Sequence, residues 1–377
     1  MNRICYQVNL QPSIGGGEIY ARFFTRALSR LGWRTVMLVA KDARFWPGFM
    51  SGSAEDGVEF RAVFDDASLQ AALPAEPGLI VTHTVLSTEV SPVIAARHRL
   101  TGIAHMPLYD RKPRGLSAYA RVFAVSEYVR ASAIACGLEN VHPEPLLGVA
   151  DLAPRSATAP LRTESPYDWD RRKFRDRLLG WMESHAPLMF GRREFVRQPG
   201  LTLGIVSRLT PIKQFPALFA ILAPVLGKFP GVRLEIFGSG GYASVRDLKQ
   251  ALAPAGQQVR FWGQQSNVAG IYPQLDYVLS GLPEKEALGL NLIEAQVSGT
   301  PVLAVRAPPF TETVLDGVSG HLFEDPRKDG GAEFAALLAR LTSEKHRLDP
   351  RLATAHLEKF SMDAFCARVG RALDAVA

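Results

Sequence analysis

Two carboxylates flanking a short apolar stretch, Glu286 and Glu294 around Ala-Leu-Gly-Leu-Asn-Leu-Ile, are the residues of this sequence best placed to do chemistry. The segment Pro283 to Ala295 reads as a strand and loop running into a helix, so one acid lies in the loop and the other about a turn and a half inside the helix. If the helix begins near Leu288, the amides of Leu288, Gly289 and Leu290 stand at its amino end, where the helix dipole favours an anion such as a diphosphate. Gly289 permits close backbone approach. Glu294 can accept two hydrogen bonds from the cis hydroxyls of a ribose, and Glu286 can accept from sugar hydroxyls. Two glutamates at this spacing on an exposed helix face are common, so the pair gains meaning only from its surroundings.

Those surroundings supply cations and glycine turns. Val206 to Lys213 follows a predicted strand and carries Arg208 and Lys213 to the carboxyl edge of a sheet, where open α/β sheets bind ligands. Two cations there can neutralise a departing diphosphate as its charge develops. Glu235 to Gly241 is a strand, a glycine turn and a helix start without the full G-x-G-x-x-G, so no NAD site is expected, and Gly238 is assigned to a loop near a base or ribose. Gly15, Gly16 and Gly17 form a glycine loop after the first strand, and His83 and His105 each end a short apolar run. Asp168-Trp169-Asp170 spells a metal-binding D-x-D, yet it lies in an arginine-rich segment and follows no strand, so no metal is expected. His83 and His321 read as structural.

Short apolar runs alternate with amphipathic stretches, the pattern of βαβ units and a parallel sheet. Strands are predicted at Ile4–Val8, Thr35–Ala40, Leu79–Thr82, Gly102–Ala104 and Val122–Val125, with a helix over Glu18–Leu31 and another beginning near Ser126. A second series follows at Leu201–Val206, Arg233–Phe237, Val259–Trp262, Tyr277–Ser280 and Pro301–Val305. The periodicity is lost in between. The expected organisation is a first Rossmann-like domain over 1–154, a basic linker over 155–200, a second Rossmann-like domain over 201–360 and a C-terminal helix over 361–377 with Ser361 as its cap. The linker clusters Arg171, Arg172, Lys173, Arg175, Arg177, Arg192 and Arg193 with Trp169, Phe174, Leu178, Leu179, Trp181 and Met182 at near-helical spacing. It reads either as a solvated helix or as an amphipathic one meeting a membrane surface or an acceptor.

Composition bounds the class. At 377 residues and 47% hydrophobic content the chain can bury more than one core. Its three cysteines, Cys5, Cys136 and Cys366, lack disulfide-framework or zinc spacing, which favours a reducing compartment. The amino end lacks the apolar run of a signal peptide, so a soluble, cytoplasmic protein is expected. The formal charge of +6 suits an anionic ligand, a nucleic acid or an acidic membrane, but no nucleic-acid-binding module is recognisable.

In chain order these segments resemble the retaining glycosyltransferase family 4 of the GT-B type. The resemblance rests on Gly15-Gly16-Gly17-Glu18, Ala104-His105, Ala124-Val125-Ser126-Glu127-Tyr128, Gly148-Val149-Ala150-Asp151, Arg208 with Lys213, Phe237-Gly238-Ser239-Gly240, the Glu-x7-Glu at Glu286 and Glu294, and Gly299-Thr300-Pro301-Val302. It implies an α/β fold of two Rossmann-like domains facing a central cleft, with the carboxyl-terminal half holding a nucleotide sugar and the amino-terminal half an acceptor. The C-terminal helix would return to the first domain. It further implies transfer with retention by front-face attack and without a covalent intermediate, metal or cofactor. His105 would help stabilise the cationic ring, and Gly15 to Gly17 would approach the phosphates. A UDP-sugar is favoured over GDP-mannose, and the acceptor is a sugar, a lipid-linked glycan or a small molecule. The sequence departs from the family where Gln214 follows Lys213 and Leu147 precedes Gly148, and the basic linker is its own. Rival readings are a sugar-phosphate synthase, phosphorylase or epimerase on the same fold, and a non-enzymatic sugar-nucleotide binder.

Overall fold

The computed structural model describes residues 3–52, 57–109, 115–150, 160–170, 173–190, 193–344 and 347–376. Asp151 and the linker residues Arg171, Arg172 and Arg192 lie outside them. Two parallel sheets organise the described residues. The first has β1 (Arg3–Asn9), β2 (Trp33–Ala40), β3 (Val58–Val63), β4 (Leu79–Thr82), β5 (Arg99–Ala104) and β6 (Arg121–Ala124) in the order β3-β2-β1-β4-β5-β6. The second has β7 (Leu201–Val206), β8 (Val232–Phe237), β9 (Val259–Gly263), β10 (Tyr277–Leu279), β11 (Val302–Val305) and β12 (Gly320–Phe323) in the order β12-β11-β10-β7-β8-β9. Central strands such as β7 and β11 are buried along their whole length, as parallel strands covered on both faces must be.

Contacts divide the chain into two compact units, residues 1–150 with 358–377, and residues 151–357. In unit one, the helix Gly16–Arg30 follows β1 and buries Tyr20, Phe24, Thr25 and Leu28. The helix Glu127–Ala135 starts where the Ser126 hydroxyl accepts from the Val129 amide at 3.1 Å. The helix Met362–Asp374 is capped by Ser361 and lies within unit one, with Phe365 edge-on to Tyr20 at 5.4 Å and Arg371 bonded to Glu144 at 2.7 Å.

Unit two absorbs the described parts of the segment expected as a linker. Leu161 and Phe195 are buried in its core, and the Phe195 amide donates to the Leu161 carbonyl at 2.7 Å. The Asp168 amide donates to Gly240 and the Gly240 amide to Pro166, which ties this stretch to the turn after β8. A single helix then runs over Phe174–Phe190.

Candidate functional site

In unit two, chemistry-bearing residues collect beyond the carboxyl ends of β7, β8 and β10. Gly238 makes this possible: at φ 149° with its missing Cβ 1.8 Å from the Ser207 carbonyl oxygen, it lets the segments leaving β7 and β8 run side by side. The Leu209 amide donates to Ser239 at 2.7 Å, and Arg208 is held exposed between. Lys213 closes a short turn over Pro211–Lys213, and Gly281 at the end of β10 packs on its carbonyl. Lys213 Nζ forms an ion pair with Glu286.

The helix bearing the second glutamate begins at Leu290, not near Leu288 as the sequence suggested. Gly289 adopts a left-handed conformation (φ 83°) and caps the helix, its carbonyl accepting from the Leu292 amide at 2.9 Å, while the Leu288 side chain is buried. The amides at the amino end are therefore those of Leu290 and Asn291. Asn291 Nδ2 donates to the Val206 carbonyl at 3.1 Å and fixes this end to the edge of β7.

Glu294 is half-buried in the helix Leu290–Val297, and Tyr272 Oη donates to its Oε2 at 2.9 Å. Burial pushes its carboxyl up to about 7, against the opposing pull of the Tyr272 hydrogen bond and the Lys213 charge. Lys213 thus couples electrostatically to both glutamates. Tyr272 escaped the sequence reading because it sits in a short turn over Tyr272–Gln274 with no motif around it. A buried tyrosine needs a partner for its hydroxyl, and Glu294 is that partner.

In unit one, Gly15 caps the helix Gly16–Arg30 and Gly17 lies against the His105 ring, 3.7 Å from where its Cβ would be. Tyr20 meets His105 edge-on at 5.1 Å and donates to the Leu146 carbonyl at 2.7 Å. His83, read as structural, is buried but lies 3.0 Å from His105, and Gln7, which drew no attention in the sequence, stands behind it. His105 is held down to about 4 by burial.

The Phe174–Phe190 helix is amphipathic in the reverse sense. Asp176, Gly180 and Glu183, spaced i, i+4, i+7, form its inward face. Glu183 accepts from the Trp169 indole and the Ser165 hydroxyl, both at 2.6 Å, and Gly180 packs on Trp169. Phe174, Leu178, Trp181 and Met182, spaced i, i+4, i+7, i+8 on the opposite face, are 73, 48, 60 and 55% exposed. Arg175 and Arg177 flank that stripe; the Asp168 amide bonds back to Gly240, and Asp170 lies 3.9 Å from Lys173. Among the described residues no group of three or more His, Cys, Asp or Glu side chains is arranged to hold a metal, and no helix is long and apolar enough to cross a membrane.

Comparison with known proteins bears on this arrangement. Residues 200–344 match the family model "Glycosyl transferases group 1", so the chain carries a domain of that group. The chain is 34% identical over 170 residues to the D-inositol 3-phosphate glycosyltransferase of Segniliparus rotundus, covering 43% of this chain and 37% of that one. It is 31% identical over 163 residues to the alpha-monoglucosyldiacylglycerol synthase of Streptococcus pneumoniae, covering 42% and 36%. The chain thus spans little more than a third of the curated relatives it matches. Among solved structures, Anabaena Alr3699/HepE in complex with UDP and glucose superposes with a TM-score of 0.71 at 18% identity, covering 99% of this chain and 100% of that one. The α/β, GT-B expectation holds: two six-stranded parallel sheets with flanking helices are the fold of this protein.

Proposed function

We propose that the protein is a retaining, metal-independent glycosyltransferase that moves a sugar from a nucleoside-diphosphate sugar, a UDP-sugar in preference to GDP-mannose, to a hydroxyl acceptor. The observation that carries this reading is the convergence of Lys213, Glu286 and Glu294 beside the amino end of the Leu290–Val297 helix, with Arg208 on the neighbouring loop. In this reading Glu294 accepts from the ribose hydroxyls, the amides of Leu290 and Asn291 face the diphosphate, and Glu286 accepts from the transferred sugar. Gly238 brings the backbone close to the nucleotide. Arg208 and Lys213 stabilise the departing diphosphate as the anomeric carbon–oxygen bond breaks, and the acceptor oxygen bonds to the same face of that carbon while its proton passes to the leaving phosphate. His105 is the unit-one group offered to the sugar ring, with Gly15, Gly16 and Gly17 admitting the donor beside it. Support from outside the site comes from relatives named as sugar transferases and from a structural neighbour solved with UDP and glucose.

The test is a panel of UDP, UDP-sugars and GDP-mannose followed by thermal shift, and then donor consumption with and without hydroxyl acceptors. Stabilisation by a UDP-sugar and acceptor-dependent release of UDP with a retained anomeric configuration are expected. A changed sugar released without acceptor would mean an epimerase, phosphate-dependent turnover a phosphorylase, and binding without turnover a sensor; each would end this reading.

We further propose that the Phe174–Phe190 helix docks on an anionic membrane surface, from the cytoplasmic side. Its outward stripe is apolar, Arg177 and Arg175 flank it, Arg175 being paired with Asp176 at 2.9 Å, and Glu183 lies on the inward face. Full-length protein should sediment with phosphatidylglycerol-containing vesicles and far less with pure phosphatidylcholine. A Phe174→Ser/Trp181→Ser variant should lose about tenfold or more of that binding with unchanged melting temperature, since neither residue is in a core. Equal binding by the variant, or a wild-type dimer in ultracentrifugation that the variant dissolves, would show instead that this face does not meet lipid.

A further inference from the structure

Gln7, His83, His105 and Thr25 form one continuous chain of hydrogen bonds within unit one. His105 Nε2 lies 3.0 Å from His83 Nδ1, and His83 Nε2 lies 2.8 Å from Gln7 Oε1. Gln7 Nε2 donates to Thr25 Oγ1 at 2.7 Å, and Thr25 Oγ1 donates to the Ala21 carbonyl at 2.9 Å. A neutral imidazole carries its proton on one nitrogen only, and here the far end of the chain decides which. A backbone carbonyl only accepts, so Thr25 spends its single proton on Ala21 and must accept from Gln7. That turns the Gln7 amide nitrogen to Thr25 and its oxygen to His83. His83 Nε2 therefore donates, its Nδ1 accepts, and His105 Nε2 must be the donor to it. The remaining nitrogen, His105 Nδ1, keeps its lone pair and has no hydrogen-bond partner among the described residues. Burial keeps both rings neutral: His105 is held down to about 4, and His83 lies well below its ordinary range through burial and the nearness of His105.

We infer that Thr25, Gln7 and His83 are positioning residues that lock His105 in the Nε2–H tautomer, so that it meets the donor sugar as a hydrogen-bond acceptor. The functional half of this inference rests on the proposed glycosyl transfer; the tautomer does not. An imidazole lone pair receives a proton-bearing hydroxyl and lies favourably against positive charge growing at a sugar ring, whereas an N–H in the same place would oppose that charge. Gly17 fits this role, since a longer side chain there would lie over the ring. The stacked arrangement of the rings, 5.3 Å apart and 21° from parallel, and the edge of Tyr20 hold His105 in position.

Two-bond proton–nitrogen correlation spectra of the histidine rings in the full chain read the tautomer directly. In the wild type His105 should show a protonated Nε2 and a bare Nδ1. Gln7→Leu removes the acceptor of His83 and should mix the tautomers of His105 and lower kcat about tenfold at nearly constant KM. Thr25→Val serves the same purpose if Gln7→Leu fails to fold. A proton on His105 Nδ1 in the wild type, or a Gln7→Leu spectrum like the wild type's, overturns the assignment. A mixed tautomer with full kcat overturns its catalytic meaning. A protein with the stated tautomer but no transfer activity leaves the assignment standing and removes the proposed function instead.

Discussion

Replacing Lys213 with alanine should reduce turnover in the proposed sugar transfer by on the order of 10²- to 10³-fold, the range found when a preorganised group facing developing charge is removed. The reason lies in two contacts. Lys213 pairs with Glu286, and its charge also draws down the Glu294 carboxyl. Its loss leaves the diphosphate short of one cation and Glu286 without its counter-charge, and it lets burial raise Glu294 further above about 7. The two effects separate by pH: raising the pH should restore nucleotide affinity in Lys213→Ala, because Glu294 then ionises, but it should not restore turnover. Arg208→Ala should lose turnover to a comparable degree. Steady-state kinetics and nucleotide calorimetry across pH measure both. Turnover within about threefold of wild type in either variant would remove that residue from the chemistry.

Strand positions were readable where the strand is a near-continuous apolar run. β7 and β4 fall on the expected residues because Leu-Thr-Leu-Gly-Ile-Val and Leu-Ile-Val-Thr are near-continuous apolar runs. The two strands that escaped, β3 and β12, each lie at one edge of a sheet. β3 is Val-Glu-Phe-Arg-Ala-Val, an edge strand whose alternating charges resemble a solvated loop, and β12 is only four residues long and contains His321. Residues with a motif (Arg208, Lys213, Glu286 and Glu294 in unit two, His105 in unit one) were visible. Those acting through a single long-range contact were not. Tyr272 reaches Glu294 across 22 residues, and Gln7 reaches His83 across 76, so only the fold brings either pair together. The helix start moved from Leu288 to Leu290 for a local reason: Gly289 was credited with close approach to a ligand, but its left-handed backbone makes it the cap.

Glu294 should make nucleotide binding pH-dependent near neutrality, and Glu294→Gln should abolish that dependence. Its carboxyl is raised from 4.5 to about 7, chiefly by burial. The sign follows from linkage: the folded state holds this proton more tightly than the unfolded chain, so the stabilisation is fully present below about 4.5 and is lost as pH rises through about 7. Binding runs the other way. A ribose presents two hydroxyl donors, which an ionised carboxylate accepts better than the acid form, so UDP affinity in the wild type should fall as pH drops through about 7, with proton release on binding near that value. Calorimetry in buffers of different ionisation heat detects the released proton. Glu294→Gln has no charge to gain, so its affinity should be roughly 10- to 100-fold weaker at alkaline pH, converge on the wild type's at acid pH, and lack the titration that the nucleotide's own phosphate does not explain. In the absence of nucleotide the same variant should hold its melting temperature between about pH 4.5 and 7, where the wild type declines, because the buried amide never has to ionise. An unchanged UDP affinity in Glu294→Gln on the alkaline side would detach this residue from the ribose, and with it the division of labour between the two glutamates.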